Sequence, residues 1–205
     1  PSVAPIMAEF PAAIPSMPSF RLAPKKIKQG LVDLNFLDVD FDMEFRQMEH
    51  FGPSGWDEAQ FIISTNPGQP MRPLKDVASG GELSRIMLAI KTVLADSDDI
   101  PTLIFDEIDT GISGRTAQKV SEKLSYIAGN HQVICITHLP QIAAMADAHF
   151  EISKSAKDGS TLTTIRLLDR KASVEELARL LGGARITETV RKNALEMKEL
   201  ADRTK

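Results

Sequence analysis

The stretch from Leu103 to His138 constrains the fold of this chain more than any other. Leu103-Ile104-Phe105 is an unbroken apolar run between Pro101 and Asp106-Glu107. That is the pattern of a strand buried on both faces of a parallel sheet. From about Arg115 to Ala128, the residues Ala117, Val120, Leu124 and Ile127 recur at helical spacing, and Gly129 stands where a C-cap belongs. Val133-Ile134-Cys135-Ile136 is a second apolar run. Strand, helix, strand reads as a βαβ unit, whose two strands are parallel. In open sheets of this kind a ligand lies beyond the carboxyl ends of the strands. Asp106 and Glu107 end the first strand and His138 ends the second, so the topology gathers all three at one edge. A single histidine after a strand is usually structural. Two adjacent acids after a buried strand say more, because burying both carboxylates requires a cation or a reaction.

Upstream, Asp76-Val77-Ala78-Ser79-Gly80-Gly81-Glu82-Leu83-Ser84-Arg85 opens a helix whose apolar positions are Leu83, Ile86, Met87, Ile90, Val93 and Leu94. Ser79 and Glu82 form an S-x-x-E capping box. Gly80 and Gly81 fall in the first turn, although glycine costs a helix about 1 kcal/mol relative to alanine. A helix start whose N–H groups must touch a bulky anion accounts for them, since that terminus already attracts negative charge. An ordinary cap with two incidental glycines is the other reading.

The remaining segments frame this centre. Residues 1–24 carry Pro1, Pro5, Pro11, Pro15, Pro18 and Pro24, which predicts an extended or disordered leader ahead of a folded unit over 25–205. Ile27, Leu31 and Leu34 predict a short helix from 24 to 36. Val39, Phe41, Met43 and Phe45 alternate with charged residues, and a second strand over 59–64 completes a hairpin around His50 to Gly55, with Trp56 as a packing residue. Pro140 to Asp147 reads as a short helix, and strands over 149–153 and 161–168 meet at Asp158-Gly159. Ser173-Val174-Glu175-Glu176 reads as a second capping box, and a last helix over 187–201 carries Val190, Ala194, Met197 and Leu200 on one face.

Composition narrows the classes. A chain of 205 residues with 42% hydrophobic and 25% charged residues is long enough for one good core. The formal net charge of -4 provides no global basic field to recruit nucleic acid or anionic lipid. The one cysteine, Cys135, excludes an intrachain disulfide and reads as a reduced core residue. No apolar run approaches the ~20 residues of a membrane span. Prolines interrupt any signal-like run near the start, so a cytoplasmic location is expected.

Three motifs stand in a fixed order: Ser79-Gly80-Gly81-Glu82, Leu103-Ile104-Phe105-Asp106-Glu107 and Ile136-Thr137-His138. Together they resemble the signature motif, Walker B strand and switch histidine in the second half of an ABC-type ATPase head. The longer strings 78–85, 106–114 and 137–143 closely resemble the RecN family of bacterial, SMC-like DNA double-strand-break repair proteins. The resemblance extends over roughly residues 30–205. Transporter ATPases usually have Gln where Glu82 stands. No G-x-x-x-x-G-K-[ST] phosphate loop occurs, no Gly-Lys pair exists anywhere, and neither the glutamine loop nor coiled-coil heptads can be identified.

The resemblance implies an α/β fold: the C-terminal lobe of an ABC/SMC-type ATPase head, a mixed sheet with a parallel βαβ core and flanking helices. It implies that Asp106 holds Mg, that Glu107 is the general base toward water, and that His138 reaches the γ-phosphate. Ser79, Gly80, Gly81 and Glu82 would meet ATP bound by an opposing head, and Asp109 would be the D-loop residue that crosses to the other subunit. Implied partners are an N-terminal lobe carrying the phosphate loop, a second head in an ATP-dependent homodimer, and DNA through the complete protein, in the bacterial cytoplasm at the nucleoid and without a membrane. ATP hydrolysis would belong to the complete head, with this chain inactive by itself. Three other readings stand beside this one. They are a self-contained metal-dependent hydrolase using Asp106, Glu107, Asp109 and His138, a dimerisation module without chemistry, and a transporter subunit. Asp109 can also be read as a turn-capping residue.

Overall fold

The computed structural model describes residues 18–53, 55–76, 80–97, 99–157, 160–183 and 185–205. Helix α1 (Pro18–Asp33) begins earlier than proline density suggests, and residues 18–24 belong to it rather than to an extended leader. Pro18 is its first described residue. Pro24 lies buried inside the helix. What holds the helix is its inner stripe: Ile27 and Leu31 are fully buried, and Leu34, in the turn just past its end, is nearly so. Residues 1–17 lie outside the described segments.

Strands β1 (Asp40–Gly52) and β2 (Gly55–Ser64) form the expected antiparallel hairpin, with Phe41 opposite Ile63 and Met43 opposite Phe61. The pairing runs well beyond the core. Phe45, Phe51 and Trp56 are exposed, and Trp56 packs on Phe51 at 6.1 Å between ring centres rather than in the interior. A third strand, β3 (Arg72–Pro73), pairs with β2 and has too little sequence of its own to be foreseen.

Helix α2 (Gly80–Leu94) buries Gly81, Arg85, Ile86, Leu88, Ala89 and Ile90. Ser79 and its expected cap lie outside the described residues. The βαβ unit follows as read: β4 (Thr102–Phe105), α3 (Gly114–Ala128) and β5 (Gln132–Cys135), the two strands parallel with Ile104 beside Ile134. Ala117, Val120 and Ile127 of α3 are fully buried and Leu124 nearly so. Gly129 closes α3 in a right-handed conformation, φ -62°, not the left-handed one expected of a glycine cap. The strands are not buried on both faces, either. Ile104 is 68% exposed, Ile134 44% and Ile136 49%, so one face of the parallel pair is open in this chain.

The carboxyl-terminal part is a second unit of packing. Helix α4 (Pro140–Ala144) leads to the hairpin of β6 (Phe150–Lys157) and β7 (Ser160–Leu167), whose turn residues Asp158 and Gly159 lie outside the described segments. Helix α5 (Arg170–Gly182) starts before the expected capping box. Asp169 caps it by accepting from Ala172 N at 2.8 Å, which leaves Ser173 inside the helix and buried. Helix α6 (Glu188–Thr204) is capped by Thr187 and buries Ala194, Lys198 and Ala201. Leu200, expected on that face, is 60% exposed. Among the described residues the strands fall into three small sheets: β1-β2-β3, β4-β5 and β6-β7. The main core joins α1, α2, α3, β4 and the root of the hairpin, and a smaller core joins α4, α5 and α6.

Candidate functional site

Beyond β4 the chain turns sharply. Asp106 Oδ1 accepts from Glu107 N at 2.9 Å, and Glu107 takes φ +57°, a left-handed conformation that a side-chain-bearing residue adopts at a cost of about 1–2 kcal/mol. Thr110 N donates back to Glu107 O at 3.0 Å and closes the turn. Both carboxylates face solvent, so they are presented at the sheet edge rather than buried as the sequence suggested.

The start of α2 lies directly against this turn. A Cβ at Gly80 would stand 2.6 Å from Glu107 Oε2. A Cβ at Gly81 would stand 2.9 Å from Thr110 Cβ and 3.0 Å from Glu107 O. The two glycines therefore have a task inside this chain: they let the helix start touch the loop that carries Glu107. Two further residues of α2 fix the contact. Ser84 Oγ donates to Asp106 O at 2.8 Å, and Arg85 Nη1 donates to Thr110 O at 2.8 Å. Arg85 is buried and its guanidinium carbon sits 5.5 Å from the centre of the Phe36 ring. Burial lowers its pKa from the ordinary arginine value, while the Glu82 charge opposes that shift.

Asp109 points inward, with its side chain 5% exposed. Its Oδ2 accepts from Thr137 Oγ1 at 2.6 Å and from His138 N at 2.8 Å, and His138 Nδ1 lies 2.9 Å from the same oxygen, within ion-pair distance. Leu139 N donates to Thr137 Oγ1 at 3.0 Å, which ties the hydroxyl into the same network. The His138 ring itself is 72% exposed. This inward orientation differs from the outward reach to a second subunit expected of Asp109. Behind the site, the Cys135 thiol is pushed up to about 12, by burial first and then by the charges of Asp109 and Asp106. The thiol is therefore unreactive, in keeping with a structural cysteine.

The structure thus brings Gly80, Gly81, Asp106, Glu107, Asp109 and His138 to one edge, where the βαβ reading placed Asp106, Glu107 and His138. It adds Ser84, Arg85 and Thr137, which sequence reasoning missed. Arg85 carried a readable signal: it is a charge four residues before Ala89 on the buried stripe of α2. Thr137 carried none beyond its place beside His138. Among the described residues no group of three His, Cys, Asp or Glu side chains is set to hold a metal ion, so the self-contained metal-dependent hydrolase gains no support.

No family model matches the chain. It is 44% identical over 181 residues to the DNA repair protein RecN of Halalkalibacterium halodurans, covering 86% of this chain and 32% of that one. It is 48% identical over 151 residues to the RecN of Bacillus subtilis, covering 74% and 26%. Over these residues the chain belongs to the RecN family. It spans between about a quarter and a third of the length of these RecN relatives. Among solved structures, the Smc head domain with coiled coil and joint from Pyrococcus yayanosii aligns with a TM-score of 0.53 at 20% identity, over 77% of this chain and 28% of that one. The RecN-family segment therefore has the α/β fold found in that Smc head domain.

Proposed function

We propose that this RecN-family chain is the C-terminal lobe of an ATPase head that hydrolyses ATP once an N-terminal lobe supplies the phosphate loop. One observation carries this reading: the start of α2 packs on the Asp106-Glu107 turn, and Asp109 of the same loop accepts from the His138 backbone N–H, so all three motifs meet at the carboxyl edge of β4 and β5. That is the placement phosphoryl transfer asks for, since such catalysis is mostly positioning and charge stabilisation.

Glu107, raised into solvent by its left-handed backbone, orients and deprotonates the attacking water. His138 presents its free ring nitrogen toward the phosphate whose charge develops. Asp106 would hold Mg. A single exposed carboxylate fits that ion, which is commonly bound by one or two carboxylates together with substrate phosphates and water. When bound, Mg neutralises charge on the β- and γ-phosphates. Ser79, Gly80, Gly81 and Glu82 meet the nucleotide of a second head, so that ATP favours the dimer by mass action. The open face formed by Ile104, Ile134 and Ile136 supports a missing lobe, because three isoleucines on one side of a two-stranded sheet leave apolar surface for a partner to cover. DNA engagement through the complete protein and a place at the bacterial nucleoid follow from the RecN relationship. Among the described residues no helix is long and apolar enough to cross a membrane.

The test is ATP turnover by the chain alone and mixed with an N-terminal lobe bearing a phosphate loop. Turnover is expected only in the mixture. Tight ATP binding and hydrolysis by the chain alone would refute the need for a second lobe. In the complete head, Ser79→Arg should abolish ATP-dependent dimerisation while leaving ATP binding intact. Normal assembly in that variant would reduce Ser79 to a helix cap.

A further inference from the structure

We propose that Asp109 is a positioning residue for His138, fixing both the aim and the tautomer of the imidazole from within the same chain. A histidine ring that is 72% exposed has no packing to hold it. What holds it is one buried oxygen. Asp109 Oδ2 accepts the backbone N–H of His138 at 2.8 Å and lies 2.9 Å from the ring Nδ1, so one oxygen meets both backbone and side chain. Thr137 Oγ1, at 2.6 Å from the same oxygen, fixes the carboxylate in turn.

The chemistry of the grip selects the proton's position. A carboxylate oxygen offers only lone pairs, and at 2.9 Å it would repel the lone pair of a bare Nδ1, so Nδ1 carries the hydrogen. Nε2 is then the nitrogen presented to solvent. This is the arrangement in which a buried acid holds a histidine in one tautomer and balances the charge of the imidazolium. It bears directly on contact with a phosphate. With Nδ1–H committed to Asp109, a neutral ring offers a phosphate oxygen only the Nε2 lone pair. Nε2 becomes a donor only in the imidazolium, whose charge Asp109 balances. The loop after β4, which carries Glu107, is thereby joined to the residue after β5 through a single side chain.

The structural part of this proposal stands on the chain alone. Its consequence for turnover rests on the ATPase reading above. The first measurement is the tautomer of His138 from long-range proton–nitrogen correlations of the 205-residue chain without nucleotide, with the signals assigned by their loss in His138→Gln. The Nδ1–H form is expected, retained in Asp109→Asn, whose amide oxygen still accepts, and lost in Asp109→Ala, where the Nε2–H form usual for a free imidazole returns. A wild-type His138 in the Nε2–H form, or a tautomer indifferent to Asp109→Ala, overturns the proposal. The second measurement is a double-mutant cycle on ATP turnover in the complete head. Asp109→Ala should lower kcat about 10–100-fold, the range seen when the outer hydrogen-bond partner of a metal-ligating residue is removed, with KM for ATP little changed. It should lower kcat no further in a His138→Ala background. An equal loss in both backgrounds means that Asp109 acts apart from His138 and overturns the proposal. Parental turnover in His138→Ala would instead remove His138 from the ATPase reading, whatever the tautomer shows.

Discussion

Ser84 on α2 and Asp106 at the end of β4 are joined by a 2.8 Å hydrogen bond from the serine hydroxyl to the aspartate carbonyl. The first turns of α2 and the acidic turn are therefore tied directly to each other. In the proposed head these are the part that meets a partner's nucleotide and the part that activates water. Ser84→Ala should lower stability by only about 0.5–1.5 kcal/mol, the net worth of one such bond. The loss of turnover should exceed what that stability change accounts for. Thermal melting and ATP turnover on the same variant check this. A melting shift with unchanged turnover would show that the bond is merely structural.

Gly80 and Gly81 should respond differently to alanine. At Gly80 the added Cβ meets only the far end of the Glu107 side chain, at 2.6 Å, which can swing away. The helix gains up to about 1 kcal/mol of propensity, so Gly80→Ala should be near neutral or stabilising in denaturant while displacing the Glu107 carboxylate. At Gly81 the Cβ meets the Glu107 carbonyl at 3.0 Å and Thr110 Cβ at 2.9 Å. That contact is with a fixed loop, and Gly81→Ala should cost on the order of 1–3 kcal/mol, as overpacking commonly does. Equal midpoints for the two variants would disprove this packing account of the glycines.

His149 supplies a pH dependence whose sign follows from its surroundings. The ring is half-buried, and Nδ1 lies 2.8 Å from Ser173 Oγ on α5. Burial lowers its pKa below the ordinary 6.5, with Lys198 adding to that shift and Glu176 and Glu151 opposing it. The unfolded chain therefore takes up the proton first as pH falls. Stability contributed by neutral His149 is present above the unfolded value and lost as pH drops through 6.5 toward the lowered folded value. Urea midpoints measured between pH 7.5 and 5 should fall more steeply for the parent than for His149→Gln. Parallel curves would rule out His149 as a contributor.

The sequence made the βαβ unit legible because one unbroken apolar run, one helical period and a second run leave few topologies. Asp106, Glu107 and His138 came with it, since strand ends are fixed once strands are. Other features depended on contacts between segments distant in sequence. The glycines of α2 read either as an anion site or as incidental to a cap, and only the loop lying against them gives their reason inside the chain. Asp109 faces inward because Thr137 Oγ1 and His138 N donate to it and the His138 ring lies against it, a fact that no local pattern contains. Helix α5 begins at Arg170 because Asp169 reaches Ala172 N, while the serine of the expected box is held by His149. Helix α1 includes Pro24 because its buried stripe outweighs one missing N–H.

The open face of β4 and β5 gives the last prediction, and it separates a partner's footprint from an exposed surface of no consequence. Ile104 and Ile134 sit side by side across the parallel pair, 68% and 44% exposed, and Ile136 continues the same side at 49%. An isoleucine at such a position loses little when replaced by a charged residue, because most of the change faces water already. Ile104→Asp should therefore leave the melting temperature of this chain nearly unaltered, within the roughly 0.5 kcal/mol typical of surface substitutions. If an N-terminal lobe packs on this face, the same change places a carboxylate in an apolar interface. It then costs association both the burial of an isoleucine, about 1.5–3 kcal/mol when complete, and the desolvation of a charge. Titration of the chain with that lobe should show affinity falling by at least tenfold for Ile104→Asp, with ATP turnover lost in parallel. Undiminished association would mean that the lobe docks elsewhere, and a large drop in melting temperature of the chain alone would mean that the face is already covered.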